Sequence, residues 1–521
     1  MLPRIKVPLP VRGDAYTVAE PLTSPKAIER SVYNGTFRLS PKDVFSFAKN
    51  DNILFYGLTD YLAENLLDPV TVQDVLNSER FMRDAHAFGY GLPFDREMWM
   101  RAIKEFNGRL PVTIEAVPLG ATIFPNEPFL QVTSLSKGYG EIAALLEAVL
   151  LGQVSIASSA LTMRRQLLAA MEEYVREDEP ELDDAAVRFK ASIMIHDFGM
   201  RAHANQYESA MLGRAHLLVF PGTDTFNAAY EAWQLAHCKP VGSSIAALAH
   251  RSVQSFPDQL SCFLNAAAKA IQSAGNNGPA IVSLVSDCYN FDATIEGDLK
   301  TTCEKYPQLV AVARPDSGDY VANVLKIVAE AKNVGFYTVQ KNGRIAMTTR
   351  RFIQGDSMDW DKMVNVMEAL KANGFSPVNC GIFGVGGWLR NTPTRDTLSA
   401  AYKLSAIGED EEAVVKLSHT RAKMSVPGPV QVLRNTDEGA PTVYFANENA
   451  KGDNLLVSYY DGRLLDPFEG ACSEDFLNVK ERVQVDFDRS VKPPQVLSPR
   501  IIAVQDATFK KYNRSREDFS A

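Results

Sequence analysis

Carboxylates, arginines and glycines gather directly behind short apolar runs in the middle of the chain. The clearest case is RPDSGD (314–319), which follows the apolar run LVAVA and precedes the helix-like stretch YVANVLKIVAEA. Arg314 offers forked N–H donors that suit phosphate or pyrophosphate, while Asp316, like Asp287 behind another run, can hold a hydroxyl pair or magnesium. A structural ion pair between Arg314 and Asp316 is the competing interpretation. The pattern indicates a site for a phosphate-bearing ligand.

Two glycine-containing turns fit a phosphate cradle. Gly355 and Asp356 follow the run RRFIQ, and the glycine-rich turn 384–387 follows VNCGIF. Glycine lets the backbone approach an anion closely, and the N-terminus of a following helix offers free N–H groups. Arg201 and Arg395 can supply further donors. A purely conformational role is the alternative for either turn alone, but two turns at successive predicted strand ends favour the cradle.

A histidine also stands at a predicted strand end. His250 follows SIAALA, so its imidazole could act as a nucleophile or as an acid or base, with a hydrogen-bonded structural histidine as the alternative. The other histidines lack metal-like spacing and are interpreted as background: His86, His203, His216, His237 and His419. Neither GxxxxGK[ST] nor a GxGxxG that opens a helix is present.

The elements that position these residues are predicted from seven apolar runs between about residues 190 and 390. The runs are ASIMI, HLLVF, SIAALA, AIVSLVS, LVAVA, RRFIQ and VNCGIF. Amphipathic helix patterns, such as 320–331 and 360–370, lie between most of them. Alternating strands and helices predict a parallel sheet, and near-continuous apolar strands predict burial on both faces. We therefore expect an irregular parallel α/β barrel with function at the carboxyl ends of its strands; a doubly wound open sheet is the alternative.

The sequence pattern is different outside residues 190 to 390. Helix patterns such as 51–67 and short strands such as 110–114 precede it, and alternating strands follow from about residue 405. We predict a barrel domain at 156–399 and a flanking, discontinuous α+β domain made of 1–155 and 400–521. A length of 521 residues allows two to four domains.

Composition excludes several classes of protein. The net charge of −9 disfavours a protein that coats nucleic acid, and no apolar run reaches the ~18 residues of a membrane span. Six cysteines without a CxxC pair predict neither a disulfide framework nor a zinc cage. The first residues are broken by prolines and lack the apolar stretch of a secretory signal, so the expected location is cytoplasmic.

Taken in order, six sequence blocks resemble the nicotinamide phosphoribosyltransferase family. They are HDFGMR (196–201), GTDT (222–225), VSDCY (285–289), RPDSGD (314–319), IQGDSMD (353–359) and TRD (394–396). Three earlier stretches are also similar, namely GDAY (13–16), FYGL (55–58) and RLPVTIEAVPLG (109–120). The resemblance implies a homodimeric enzyme with sites at the interface, which transfers a phosphoribosyl group from phosphoribosyl pyrophosphate to nicotinamide. The products would be nicotinamide mononucleotide and pyrophosphate.

The resemblance also assigns roles to matching positions. It places Phe198 on one face of the pyridine ring and Tyr16, from the second subunit, on the other, with Asp14 beside the base and Asp224 at its amide. The remaining positions fall where the family binds ribose, phosphates and magnesium: Asp287 and Asp316 (ribose hydroxyls or Mg²⁺, at the reacting centre with Arg314), Gly355, Asp356, Gly386 and Gly387 (ribose and 5′-phosphate), and Arg201, Arg314, Arg395, Arg38, Lys403, Lys416 and Lys423 (phosphate or pyrophosphate).

His250 aligns with the histidine that the family phosphorylates from ATP, which makes ATP an optional coupling substrate. The family usually has an acidic residue before this histidine and a small hydroxyl residue after it, whereas this chain has Ala249 and Arg251. Further departures, at positions that could reshape the pocket, are Met200, Val385 and Trp388.

Three competing functions stay open at the level of sequence. Nicotinate phosphoribosyltransferase shares the architecture, but the carboxylate of Asp224 favours an amide over a second carboxylate. A catalytically silent, nucleotide-sensing relative is suggested only by the altered neighbours of His250. An unrelated barrel enzyme such as a Schiff-base aldolase needs a lysine at a strand end, and none of the seven predicted strands ends in one.

Overall fold

The chain divides into two compact units in the structure, a computed structural model. It describes residues 5–20, 24, 29–85, 92–275, 278–418, 423–434, 441–463, 475–488 and 497–515. The barrel unit comprises Phe47–Lys49 and Met163–Thr392, and the α+β unit comprises Met1–Ser46, Asn50–Thr162 and Pro393–Ala521. The domain boundaries predicted from the sequence lie seven residues from the two main junctions, Thr162–Met163 and Thr392–Pro393.

Strands and helices are numbered here in chain order over the described residues. The strands are β1 (Ser31–Thr36), β2 (Ile53–Leu54), β3 (Val112–Ala116), β4 (Thr122–Ile123), β5 (Pro128–Ser134), β6 (Ile195–Asp197), β7 (Gly222–Thr223), β8 (Ala246–Ala247), β9 (Ala280–Val285), β10 (Leu309–Arg314), β11 (Tyr337–Val339), β12 (Ile345–Met347), β13 (Arg350–Gln354), β14 (Gly381–Val385), β15 (Ala401–Ile407), β16 (Glu412–Ala413), β17 (Val430–Arg434), β18 (Pro441–Phe445), β19 (Asp453–Asn454) and β20 (Val457–Asp461).

The helices are α1 (Ala15–Ala19), α2 (Pro41–Val44), α3 (Leu58–Asn65), α4 (Val72–Arg80), α5 (Arg96–Phe106), α6 (Gly140–Leu145), α7 (Glu147–Asp178), α8 (Asp184–Ser192), α9 (Gln206–Leu217), α10 (Phe226–Leu235), α11 (His250–Gln254), α12 (Gln259–Ala274), α13 (Phe291–Ala293), α14 (Leu299–Lys305), α15 (Tyr320–Asn333), α16 (Trp360–Ala372), α17 (Gly387–Asn391), α18 (Phe476–Asp488) and α19 (Pro499–Lys511). Short 3₁₀ helices span Leu9–Val11 and Met200–Ala202, and π-helical turns span Phe81–Ala85 and Thr294–Asp298.

The barrel unit is built on a seven-stranded parallel sheet in the order β7-β6-β14-β13-β10-β9-β8. Read from β8, the strands follow chain order through β9, β10, β13 and β14. The last of these, β14, pairs with β6, the first strand of the unit, and β6 pairs with β7. A parallel bridge between Gly222 of β7 and Ser243, just before β8, links the two ends of this order. The sheet is therefore curled into the irregular parallel α/β barrel that the sequence predicts, and the open doubly wound sheet is wrong.

Apolar runs buried on both faces explain the central strands. Consecutive residues of β9 and β10 are buried, namely 282–285 and 311–313, so side chains on both faces of the sheet are covered. The helix predicted at 320–331 is α15, which begins where the Asp319 side chain accepts hydrogen bonds from two backbone N–H groups at 2.9 Å. Its apolar stripe, including Val328, is buried, so the helix packs its stripe against the unit's interior.

One predicted strand is wrong. HLLVF (216–220) completes α9 and the turn behind it, and the strand of this βα unit is the short β7 that follows. Residues 209–217 of α9 are all buried, so the helix shows no polar face in its sequence. A helix buried all round cannot be distinguished from a buried strand by periodicity. The other six predicted strands overlap β6, β8, β9, β10, β13 and β14.

The α+β unit has a six-stranded antiparallel sheet in the order β16-β15-β1-β5-β3-β20. Strands from both ends of the chain combine in it: β1, β5 and β3 from the N-terminal part lie in the middle, where β15 pairs with β1 and β20 pairs with β3. A three-stranded sheet, β18-β17-β19, and the two-stranded β2-β4 complete the unit. This unit has the α+β class that the sequence predicts for the segments outside the barrel.

No helix in the described parts of the chain is both long and apolar enough to span a bilayer. The cytoplasmic location stays a prediction.

Candidate active site

The carboxyl ends of the barrel strands surround a cleft of about 980 Å³. Eight of the residues predicted for the site line it: Phe198, Arg201, Asp224, Arg314, Asp316, Gly355, Gly386 and Gly387. Met200, Ala202, Ser357, Met358, Asp359, Trp388 and Asn391 complete the wall. The volume lies in the range of small-molecule sites, and the wall combines one aromatic face with arginines and carboxylates.

Phe198 occupies space that only glycine leaves open. A Cβ on Gly384 would lie 2.0 Å from the ring, and one on Gly355 would lie 3.1 Å from it. The backbone of Phe198 is fixed as well, because its N–H donates to the carbonyl of Val385 at 2.9 Å. These glycines therefore make room for the phenyl ring, a role that the phosphate-cradle interpretation overlooked.

Asp224 stands at the cleft between a buried histidine and a serine. Nε2 of His196 lies 3.0 Å from Oδ1 of Asp224, and the Ser244 hydroxyl donates to the same oxygen. Burial by itself would raise the pKa of Asp224, but these hydrogen bonds and the charge of Arg314 outweigh it and lower the pKa below its ordinary value. The cleft thus presents a carboxylate that is ionised at neutral pH.

His250 begins α11 and is flanked by two carboxylates. Its Nε2 lies 3.2 Å from Oδ1 of Asp287, and its Nδ1 lies 3.9 Å from Oδ2 of Asp316. The imidazole is 41% exposed, whereas the Asp287 side chain is only 7% exposed. The acidic neighbour that Ala249 removes from the sequence is therefore replaced in space by carboxylates from two other strand ends.

Asp287 also organises the RPDSGD loop. Its Oδ2 accepts hydrogen bonds from the Asp316 backbone N–H at 3.2 Å and from the Ser317 hydroxyl. Gly318, next in the loop, has a φ of +86°, which favours glycine. The loop turns here so that Asp316 faces the cleft while Asp319 caps α15.

Arg314 does not form the ion pair with Asp316 that served as the structural alternative. Over the described residues its guanidinium makes one hydrogen bond, from Nη2 to the Leu248 carbonyl at 2.6 Å, and its buried Nε has no partner. Arg314 and Asp316 line the same cleft without neutralising each other. This leaves the charge of Arg314 available to an anion.

Asp356 is placed differently from the residues around it. Its carboxylate accepts a hydrogen bond from the Ser357 hydroxyl at 3.2 Å, and Gly355 and Ser357, rather than Asp356, line the cleft. Over the described residues no group of three or more His, Cys, Asp or Glu side chains is arranged to hold a metal ion. The pair Asp287 and Asp316 stays a candidate for magnesium, because Mg²⁺ often binds through one or two carboxylates plus substrate phosphates.

Seven predicted residues belong to the α+β unit. Asp14 is the N-cap of α1, and Tyr16 in that helix is 70% exposed. Arg38 follows β1, and burial together with the charge of nearby Arg395 lowers its pKa. Lys403 lies on β15 opposite β1, with Nζ 2.9 Å from Oε1 of Glu147.

Lys416 and Lys423 belong to the same unit, before and after residues 419–422, which lie outside the described residues. The Lys416 backbone pairs with Ser425, through its N–H to the serine hydroxyl at 2.8 Å and its carbonyl to the serine N–H at 3.3 Å. His419 between them, like His86, lies outside the described residues. Within this unit the structure thus brings Arg38 near Arg395 and pairs the Lys416 backbone with Ser425.

Several groups at the barrel site were missed by sequence reasoning. His196 begins the HDFGMR block, but the sequence assigned it no role. Ser244 begins the apolar run SIAALA and was likewise assigned none. The Leu248 carbonyl and the Ser317 hydroxyl could not be foreseen, since their partners are distant or ambiguous in sequence. The motif context was the one signal available for His196.

Comparison with known proteins finds similar sequences. Residues 193–425 match the family model of the nicotinate phosphoribosyltransferase (NAPRTase) family. The nicotinamide phosphoribosyltransferase of Xanthomonas campestris pv. campestris is 29% identical over 430 residues, which cover 80% of this chain and 88% of the relative. That of Acinetobacter baylyi is 24% identical over 426 residues, covering 74% and 81% of the two chains.

A solved structure supports the fold. The crystal structure of human nicotinic acid phosphoribosyltransferase is similar with a TM-score of 0.57 and 18% identity, covering 95% of this chain and 99% of that chain. The six motif blocks all lie inside the segment that the family model matches. The resemblance inferred from them is confirmed: residues 193–425 are similar to the nicotinate phosphoribosyltransferase (NAPRTase) family, and most of the chain is similar to bacterial nicotinamide phosphoribosyltransferases.

Proposed function

We propose that this protein transfers the phosphoribosyl group of phosphoribosyl pyrophosphate to the ring nitrogen of nicotinamide, giving nicotinamide mononucleotide and pyrophosphate in NAD salvage. The observation that carries the choice of base is the ionised carboxylate of Asp224 at the cleft, held by His196 and Ser244. The names of the bacterial relatives agree with this base, whereas the family model carries the name of the acid.

Electrostatics separates the two bases. Nicotinamide has an NH₂ group that can donate a hydrogen bond to Asp224, whereas nicotinate would bring a second negative charge to the same place. At ~4 Å and an effective dielectric constant near 20, that repulsion is on the order of 4 kcal/mol, or about a thousandfold in affinity. The lowered pKa of Asp224 keeps the repulsion in force at neutral pH.

Phe198 and the glycine turns would position the two substrates. The phenyl ring, fixed over Gly384 and Gly355, offers a flat face to the pyridine ring. Gly386 and Gly387 line the same cleft at the start of α17, and Arg201 lines it from the 3₁₀ turn at Met200–Ala202. Backbone N–H groups and a guanidinium in the same cleft suit the 5′-phosphate and ribose of the donor.

Arg314 and Asp316 would stabilise the charges that develop at the reacting centre. Breaking the bond at the anomeric carbon builds positive charge on the ribose and negative charge on the departing pyrophosphate. Arg314, which has no carboxylate partner among the described residues, would stabilise the pyrophosphate. Asp316 is 46% exposed and would hold magnesium together with phosphate oxygens, while both oxygens of Asp287 already have polar partners in the protein. Bound magnesium would supply Lewis-acid stabilisation of the leaving group.

His250 is proposed to couple the reaction to ATP. If the Nε2–H of His250 donates to Asp287, Nδ1 carries the lone pair and can attack the terminal phosphate of ATP. The new N–P bond forms as the bond to the leaving ADP oxygen breaks, and water later cleaves the phosphohistidine. The 41% exposure of the imidazole leaves room for the nucleotide.

A second copy of this chain is proposed to complete the site. Tyr16, 70% exposed, would stack on the free face of the pyridine ring of the other copy, with Asp14 beside it. Phe226 and Tyr230 expose 71% and 63% of their surface on α10, directly behind the strand end that bears Asp224, and offer an apolar surface to such a copy. Mixing inactive Tyr16→Ala and Asp316→Asn proteins after dissociation should then restore about a quarter of wild-type activity, since half of the dimers are mixed with one intact site. No recovery would contradict a shared site.

One assay tests the main proposal. Purified protein is incubated with phosphoribosyl pyrophosphate, magnesium and either nicotinamide or nicotinate, with and without ATP, and the mononucleotides are separated and quantified. We expect nicotinamide mononucleotide as the dominant product. Preferential use of nicotinate would establish the acid-specific enzyme instead. Absence of either product, despite binding of both substrates, would identify a silent nucleotide sensor.

A further inference from the structure

Glu208 bonds to two segments that line the cleft, although Glu208 itself is not part of the cleft wall. It lies in the first turn of α9, where its backbone N–H donates to the Asn205 side chain at 2.9 Å. Its Oε1 accepts a hydrogen bond from Nη2 of Arg390 at 2.5 Å, and its Oε2 accepts one from the Ala204 N–H at 3.1 Å. Nδ1 of His203 lies 3.7 Å from the same Oε2.

The two loops carry the groups proposed for the donor phosphate. One is the segment 199–205, which contains Arg201, and the other is α17, which begins at Gly387 and contains Arg390. The loops also meet directly, because a Cβ on Gly199 would lie 3.6 Å from both the Gly386 carbonyl and Nε2 of His203. Their separation therefore sets the distance between Arg201 and the N–H groups at the start of α17.

The ion pair is shielded enough to fix this separation. The Glu208 and Arg390 side chains are 16% and 25% exposed, and the His203 side chain is 3% exposed. An ion pair that is partly buried and carries further hydrogen bonds restricts its partners more than an exposed pair does. Glu208 bonds to both loops with different oxygens, so it acts as a strut between them.

We propose that Glu208 is a positioning residue that holds the Arg201 loop and α17 at the spacing required for the phosphate of the donor. This rests on the proposed function, because that function places the phosphoribosyl group between these loops. No motif in the sequence marks Glu208 or Arg390 for a role, and the spacing of His203 there indicates only a background histidine.

The test compares Glu208→Gln, Arg390→Gln and the double variant with the wild type. The carboxamide oxygen introduced by Glu208→Gln can still accept from the Ala204 N–H, so the single change removes chiefly the ion pair. Glu172→Gln is the matched control, because Glu172 forms a similarly buried ion pair with Arg188, at 3.1 Å and 13% exposed, away from the cleft residues. The readouts are steady-state constants for each substrate, calorimetric binding of phosphoribosyl pyrophosphate with magnesium in the absence of nicotinamide, and Tm.

We expect Glu208→Gln to raise the KM and Kd for phosphoribosyl pyrophosphate about tenfold while the KM for nicotinamide changes less than about twofold. The double variant should have a Kd for the donor no higher than that of either single variant, since each single change already removes the same Glu208–Arg390 ion pair. Equal shifts for both substrates, or a lowered Tm like that of the control with unchanged donor affinity, would overturn the proposal. If the wild type binds the donor yet forms no mononucleotide, the proposed function fails and the calorimetric Kd values still decide the role of Glu208. A wild type that binds no donor would overturn both.

Discussion

The phenyl ring of Phe198 fills the space that a side chain on Gly384 would need, with ring atom Cε2 only 2.0 Å from the position of a Cβ. Gly384→Ala should therefore displace the ring, because a fixed backbone on both sides leaves the ring as the part that moves. We expect the KM for nicotinamide to rise about tenfold or more, with a smaller change for the donor. Steady-state kinetics for both substrates check this. Gly297→Ala is the control, since its Cβ would meet nothing within 4 Å; equal behaviour of the two variants would contradict the prediction.

Asp224→Ser should relax the choice between the two bases. The substitution removes the negative charge that repels nicotinate and leaves His196 and Ser244 in place. The ratio of kcat/KM for nicotinamide to that for nicotinate should fall by about a hundredfold to a thousandfold. The exposed Asp361→Asn in the first turn of α16 serves as the control. An unchanged ratio in Asp224→Ser would remove the electrostatic argument for the amide.

Arg314→Ala should reduce turnover far more than stability. The guanidinium makes one hydrogen bond, to the Leu248 carbonyl, and no ion pair among the described residues, so little structure depends on its charge. Loss of one charged donor to a developing anion lowers kcat by about a hundredfold to a thousandfold. Kinetics and thermal melts of the same preparations measure both effects. Arg188→Ala, which breaks an ion pair with Glu172 elsewhere, should show the opposite pattern. An Arg314→Ala protein that melts early yet keeps full turnover would assign Arg314 a structural role.

His250→Ala should abolish stimulation by ATP and leave a slow, ATP-independent synthesis of the mononucleotide. Asp287→Asn should weaken the stimulation as well, because Asp287 holds Nε2 of the imidazole at 3.2 Å. Radiolabel from γ-labelled ATP should stay on the wild type and be absent from His250→Ala. A wild type that turns over both substrates but retains no label under acid-free conditions would instead support a histidine that only hydrogen-bonds pyrophosphate.

A buried glutamate of the α+β unit should make stability depend on pH. Burial raises the pKa of Glu127 to about 8 from an ordinary 4.5, and the Phe124 N–H and the charge of Arg434 offset this only in part. From about pH 4.5 to about pH 8 the folded state keeps a proton on Glu127 that the unfolded state loses, so the contribution of Glu127 to stability falls as the pH rises. Glu127→Gln should flatten this decline. Denaturant unfolding of both proteins at several pH values measures the slopes, and identical slopes would show that Glu127 does not titrate in this window.

The sequence alone determined the class of the barrel. Apolar runs such as AIVSLV and LVAVA fit a strand buried on both faces, and the 3.6-residue stripe of α15 fits a helix covering it. These are local signals, because a buried parallel strand and an amphipathic helix each show their environment in their own residues. The same reasoning fails at α9. Its nine buried residues show no amphipathic stripe, so the pattern of HLLVF is the same as that of a buried strand.

Motifs at strand ends likewise determined which residues face the cleft, because parallel strands deliver their carboxyl ends to one side of the sheet. Only the tertiary structure decided how those residues pair. His250 and Asp287 are 37 positions apart, and Asp224 is held by His196 from one strand and Ser244 from the approach to another. Such contacts depend on which strands are neighbours and on their register, which no local pattern specifies. The strand-end motifs therefore identify the site residues from the sequence. The hydrogen bonds that set the charge and orientation of those side chains form only when the barrel closes.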